Sequence, residues 1–287
     1  MKFIFTYVFL IFLSLTLLDA QVTYPSLSPE GRVYQVVGET QVSLRYERPQ
    51  VRGRVIFGGL VPWGEVWRTG AGYCTVIRFD QPVMVGKQRV PAGAYSLFTV
   101  PHPDKWRVLL NTDTTLYGAY DHDPAKDIAR FEVPANETGR FYETLTIDID
   151  LRGNDAMLFI SWANVQVAFP IETGLDEEIR DYIFEKLMAN DAADAEAYAE
   201  AASYLLSQGY ALYDALALTQ RALAADPESE FVYNVLVQVY EALGSQDKAL
   251  ETAQRALELV KGKTYTSEAD RAGTIGWWEE IVERLEE

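Results

Sequence analysis

Ala215-Leu216 and Gln220-Arg221-Ala222-Leu223 recur 34 residues further on as Ala249-Leu250 and Gln254-Arg255-Ala256-Leu257. A repeat of that length with alanines at fixed places is the mark of stacked helix pairs. One such pair cannot bury its apolar face alone. Neighbouring pairs therefore stack on it, and the stack leaves an extended surface suited to a peptide or protein partner.

Outward from the echo, a period near 3.6 runs through residues 176–188, 194–207, 212–225, 230–243, 247–260 and 267–286. Gly209 and Gly244 fall at the turns inside the pairs, and Asp226-Pro227 marks the break between them. Leu236, Tyr240 and Gly244 stand where a tetratricopeptide repeat takes a large apolar residue, an aromatic and its turn glycine. The C-terminal region, 175–287, is therefore expected to be an all-α, tetratricopeptide-like domain, with the flanking helices as caps.

Upstream the period changes to two. Thr144-Leu145-Thr146-Ile147-Asp148-Ile149-Asp150-Leu151 alternates polar and apolar, and Gly153-Asn154 turns it into the wholly apolar run 156–162. Ala163-Asn164 then reads as a connection to a strand over 165–169. Gly86-Lys87 reads as a tight hairpin between 83–85 and 88–90. With runs at 33–37, 41–46, 74–79, 94–100, 106–111 and 128–133, roughly ten short strands are expected. The fold class that follows for 21–172 is an all-β sandwich, jelly-roll-like.

The first twenty residues read as a secretory signal peptide. Lys2 precedes an apolar run from Phe3 to Leu18, and Ala20 supplies a small residue at the cut. The alternative is a retained anchor, for which the run is short. Export to the periplasm or the extracellular space is the expectation, with no membrane span once the chain is processed.

Charge separates the halves. Residues 21–172 carry 15 Lys+Arg against 17 Asp+Glu, and 173–287 carry 9 against 24. Acidity of that order repels nucleic acid and favours basic partners or plain solubility. Cys74 is the single cysteine, so an intramolecular disulfide and a cysteine metal cluster are excluded. It stands in an apolar run and reads as a small buried hydrophobe rather than a nucleophile.

The stretch Gly53-Arg54-Val55-Ile56-Phe57-Gly58-Gly59-Leu60-Val61-Pro62-Trp63-Gly64-Glu65-Val66-Trp67-Arg68-Thr69-Gly70-Ala71-Gly72 has no clean period. A long ordered loop of this kind is a usual place for a site. Together with 91–101, Trp106 and Tyr117-Gly118-Ala119-Tyr120, it resembles the bacterial domain-of-unknown-function family 2911 over about residues 26–171. Several similar proteins carry tetratricopeptide-like helices afterwards. The resemblance implies no activity and no cofactor. Two positions depart from it: family members often carry Asn where Gly72 stands and Trp where Tyr117 stands, which weakens any ligand contact made there.

Candidate ligand-binding residues are Trp63, Trp67, Arg68, Tyr73 and Tyr117, because aromatic faces beside a planar donor suit sugar rings or peptide backbone. The structural alternative makes the tryptophans a plug and Arg68 a brace. Arg68, Glu65 and Asp121 are the candidates for catalysis, since paired carboxylates are set by distance in the fold. His102 and His122, with Asp104, Asp121 and Asp123 nearby, have the composition of a metal site but not the spacing of one, and a solvated loop is the simpler reading. Arg45, Arg48, Arg52 and Arg54 form a basic cluster for which internal pairing is the default. No nucleophile elbow or phosphate-cradling loop is present, and no cofactor is expected. The sequence thus points to an exported, non-catalytic binding protein, with a protein partner on the helices and a glycan or peptide on the β-domain. An envelope hydrolase with its site at Trp63–Tyr73 is the alternative, and a metal-binding protein a weaker one.

Overall fold

A computed structural model describes residues 24–189 and 193–287. The expected signal peptide lies outside the described residues. The chain falls into two compact units, one ending at Asp176 and one running from Glu177 to Glu287.

Among the described residues the first unit is a β-domain of nine strands: β1 (Glu30–Val37), β2 (Thr40–Glu47), β3 (Thr75–Phe79), β4 (Val83–Val85), β5 (Gln88–Val90), β6 (Gly93–Pro101), β7 (Lys105–Asn111), β8 (Asp127–Arg152) and β9 (Asp155–Glu172). The order across the sheet is β1-β2-β3-β6-β7-β8-β9-β4-β5, and every pairing is antiparallel. The 26 residues of β8 make the fold double over. Its first part, to Pro134, pairs with β7, and its remainder pairs with β9. The register slips between Glu137 and Tyr142 and again before Thr146, where the strand passes from one layer to the other. Side chains from both layers fill one core, with Trp106, Trp162, Phe79 and Phe169 almost wholly buried. The segment after β2 returns to β8: Val51 N–H donates to Glu143 O at 2.7 Å, and Leu145 N–H to Pro49 O at 2.9 Å.

The alternation at 144–151 is realised. Leu145, Ile147 and Ile149 are buried, and Asp148 and Asp150 face solvent. The turn at Gly86-Lys87 is also realised, both residues having positive φ, and a Cβ at Gly86 would stand 2.2 Å from Phe131. Two expectations are corrected. Ala163-Asn164 does not end a strand, because β9 runs on through it with a local kink at Ala163 (φ 53°). The runs at 128–133 and 144–151 belong to one strand, because the backbone stays extended across the polar stretch between them even where its register on β9 slips.

The second face of β6 is covered as well. Phe98 and Val100 pack with Cys74 and Leu109 in a small separate cluster under Val66, Leu116 and Ala119. The loop from Thr112 to Lys126 is therefore held against the sheet, and it brings Ala119 and Tyr120 beside the glycine-rich segment.

After β9 come α1 (Leu175–Asp181), running into a π-helical turn (Tyr182–Leu187), α2 (Ala195–Gln208), α3 (Leu212–Ala225), α4 (Glu230–Ala242), α5 (Gln246–Gly262) and α6 (Glu268–Glu286). Asp194, Ser229 and Ser267 cap α2, α4 and α6 by accepting from backbone N–H groups of the first turn. Gly209 closes α2 in the left-handed conformation (φ 69°). α2 packs on α3, α4 on α5, and α4 also lies against both α2 and α3. Among the described residues no helix is long and apolar enough to cross a membrane.

Candidate functional site

The segment that carries Arg68 is stapled to the sheet on both sides. Trp67 exchanges two backbone hydrogen bonds with Thr99 of β6, at 2.7 and 2.9 Å. Thr75 N–H donates to Arg68 O at 3.2 Å, and Thr75 Oγ1 donates to Thr69 O at 2.8 Å. Thr69 is fully buried with φ of 53°, a conformation uncommon for a residue with a Cβ, and its hydroxyl stands 3.0 Å from that of Thr99. The Trp67 indole N–H donates to Gly70 O at 3.1 Å. Arg68 is thus presented from a backbone fixed before any ligand arrives.

Beside it lies a cleft of about 570 Å³, within the range of small-molecule sites. Its wall is aliphatic: Leu60, Val61, Pro62, Val66, Ala71 and Ala119. Its polar lining includes Arg52, Arg54, Arg68 and Glu65. Arg52 donates to Gln50 Oε1 and Leu27 O, at 3.1 and 3.0 Å. Arg54 donates to Val51 O and Gln50 O, at 3.0 and 2.5 Å. Both heads are fixed by neutral acceptors. Arg68 differs: its Nε is buried, and among the described residues no acceptor reaches it. Trp162 also lines the cleft, and its indole Nε1 is likewise buried without a partner. Gly118 (φ 73°) fits between, since a Cβ there would stand 2.7 Å from the Tyr120 ring and 3.4 Å from Arg68 Nη1.

The candidate residues separate on the structure. Arg68 and Glu65 share the cleft. Trp67 is buried beneath it, stacked on Trp162 and edge-on to Trp106 and Phe57. Trp63 is 40% exposed and lies over Phe57, on a neighbouring hollow lined by Val55, Phe141 and Val165. Tyr73 and Tyr117 are exposed and meet edge to face, 5.2 Å between centroids, joined by an isolated backbone bridge. Asp121 is exposed and does not line the cleft. His122 is held by Asp127 (Nε2 to Oδ1, 2.8 Å), a nearly buried carboxylate that also accepts from Asn111 and Arg130. His102 sits beside Gly64. Cys74 is buried, with Sγ 2.9 Å from Ser96 Oγ. Arg48 donates to Leu145 O and Thr146 Oγ1, and Arg45 pairs with Glu30, so the basic cluster divides between β-domain staples and cleft lining.

The loop that brings Tyr120 to the cleft is fastened at its ends. Lys126 Nζ donates to Asp113 Oδ2 at 2.8 Å, and Thr115 donates to Asp113 Oδ1 from both its hydroxyl and its backbone. The Lys126 bond, with those from Thr115, pulls the Asp113 carboxyl down to about 2.

A family model described as "Protein of unknown function (DUF2911)" matches residues 28–171. The chain belongs to this family. No curated protein and no solved structure matches it. The DUF2911 region takes in nearly the whole cleft, from Ser28 through Trp162, and ends before α1. The two departures are neighbours in space, Gly118 N–H donating to Gly72 O at 2.9 Å, and neither lines the cleft. At Gly72 a Cβ would stand 2.3 Å from the Glu47 carboxylate.

Trp162, Tyr120, Arg52 and Arg54 complete the cleft without having been singled out as site residues. Trp162 lies in a run apolar on both faces, which reads as core. The arginines were legible as charge, but their convergence depends on where the loop is stapled.

Proposed function

We propose that this is an exported, non-catalytic binding protein whose β-domain takes a small ligand in the Arg68 cleft and whose helices take a protein or peptide partner. One observation carries the first part: a rigidly mounted arginine with a buried, unpartnered Nε lines a cleft that combines an aliphatic wall with cationic groups. Leaving such a donor unpaired is unfavourable, and a bound acceptor removes that cost. The envelope hydrolase is the weaker reading. An acid–base mechanism needs converging titratable groups, and of Glu65, Asp121, His102 and His122 only Glu65 lines the cleft.

For the helical part, support comes from the echo itself. Ala215, Ala222, Ala249 and Ala256 are all fully buried, as close-packed tetratricopeptide-like pairs require. Tyr213 and Phe231 remain exposed on the same unit and offer apolar contact to a partner, while the acidity of these helices favours a basic one.

The test is equilibrium binding of the processed full-length chain to short peptides and oligosaccharides, followed by tryptophan fluorescence. The comparison is with Ala71→Trp, which fills the cleft. Binding lost in a variant of unchanged melting temperature is the expected result. Equal binding by both proteins would move the ligand elsewhere and sink the cleft reading.

A further inference from the structure

We infer that the cleft recognises a carboxylate carried on an apolar body, the carboxylate lying on Arg68 and the body against the aliphatic wall; this rests on the cleft being a ligand site. The sign of the ligand follows from the lining. Three arginines face one glutamate there, on a chain whose net charge is −17. Arg52 and Arg54 are held by carbonyl and amide oxygens, so these contacts leave their charge unneutralised. Among the described residues Arg68 Nε has no acceptor. A guanidinium meets a carboxylate through two parallel hydrogen bonds, and that of Arg68 belongs to the cleft lining.

The body of the ligand follows from the aromatic arrangement. A sugar ring needs an open aromatic face. Trp67 and Trp162 spend faces on each other, with planes 17° apart, and both are buried. Tyr120, 86% exposed, adds one open ring to a lining that is otherwise a wider aliphatic wall of Leu60, Val61, Pro62, Val66, Ala71 and Ala119. Aliphatic surface favours an aliphatic or otherwise apolar body over a glycan. Two sources share this chemistry, a peptide ending in an apolar residue and a free amphiphilic acid.

The probes are acetyl-Ala-Leu as free acid and as C-terminal amide, octanoate and octanamide, and glucuronate. They are titrated into the processed full-length protein by calorimetry to about 5 mM, the range of weak single-anchor binding. At least one free acid should bind about tenfold or more tightly than its amide, the scale of a charge-assisted bond. The preference should vanish in Arg68→Met. Ala71→Trp should lose binding altogether, which keeps the test open if Arg68→Met misfolds. A preferred peptide acid identifies a chain terminus as the ligand, and preferred octanoate identifies a free acid. Acid and amide binding alike would overturn this inference and leave the cleft a binding site. Preference for glucuronate would overturn the apolar body, and no binding by any probe would overturn the inference outright. A ligand that binds the Ala71→Trp variant as it binds the native protein would remove the cleft reading itself.

Discussion

Trp67 and Trp162 lie stacked, with ring centroids 5.7 Å apart and planes 17° apart. The residue before Arg68 in the chain is therefore fixed to β9 by its side chain and to β6 by its backbone. Removing that anchor should cost both stability and site. Trp67→Ala is expected to destabilise the protein by about 3–5 kcal/mol, the usual range for a large core aromatic. Trp67→Phe should cost clearly less, since it keeps most of the packing while losing the bond to Gly70 O. Denaturant unfolding of the two variants measures this. Equal, small losses would mean that the stack does not anchor the loop.

The same pair shows what the sequence could and could not convey. Leu145, Ile147 and Ile149 announce a buried face through a period of two, which is local information. The starts of α2, α4 and α6 are similarly written in their capping residues Asp194, Ser229 and Ser267. The doubling of the sheet is not local: Asn136 to Gly139 has the composition of a turn, yet β8 runs on through it while its register on β9 slips after Glu137. Trp63 and Trp67 are alike in sequence, but one is exposed and the other buried. What separates them is the bridge to Thr99 and the stack on Trp162, contacts that join residues far apart in the chain.

Arg68→Met should leave stability unchanged or raise it slightly. The substitution removes a buried donor without a partner and keeps much of the apolar stem. If Arg68 instead braces the loop, the melting temperature will fall. Thermal unfolding of the ligand-free protein separates the two roles.

The Asp113–Lys126 fastening should weaken in acid. The Asp113 carboxyl sits at about 2, below its ordinary value of 3.8, so its contribution is fully present above roughly pH 4 and lost as pH falls through 2. Hydrogen-exchange protection factors along the loop 112–126, taken relative to the slower intrinsic exchange in acid, should fall over that window in the native protein. Asp113→Asn should exchange fast already at neutral pH and lose most of this dependence. Protection that is the same in both proteins at neutral pH would show that the ion pair does not hold the wall.

Ala256 is fully buried among Tyr233, Ala253 and Val260. Ala256→Leu forces added methylenes into that contact and should cost about 1–3 kcal/mol. Its counterpart in the echo, Ala222→Leu, should behave alike if the two positions are equivalent in stacked pairs. Unfolding followed by far-ultraviolet circular dichroism, where the helices dominate, provides the measurement. Tolerance at either alanine would count against the repeat.

The boundary of the β-domain can be set by which residues complete it. Composition alone places its end at Glu172, where β9 stops. Three of the four residues beyond nonetheless reach back into the domain. Thr173 donates through its backbone N–H to Asp155 Oδ1 at 2.8 Å and through its hydroxyl to Asn154 O at 2.9 Å. Asn154 donates to Asp176 Oδ1 at 2.6 Å. Leu175 reaches Gly38, where a Cβ would stand 3.0 Å from its Cδ2. These contacts tie the β8–β9 turn to the β1–β2 turn, so their loss exposes two connections at once. A fragment of residues 21–176 should unfold cooperatively as a β-domain. A fragment of 21–172 should also fold, but at a lower melting temperature, because each lost hydrogen bond contributes about 0.5–1.5 kcal/mol. Identical midpoints would return the boundary to Glu172. Failure of both fragments to fold would mean that the helices are needed to complete the β-domain, and that the two units are not separable.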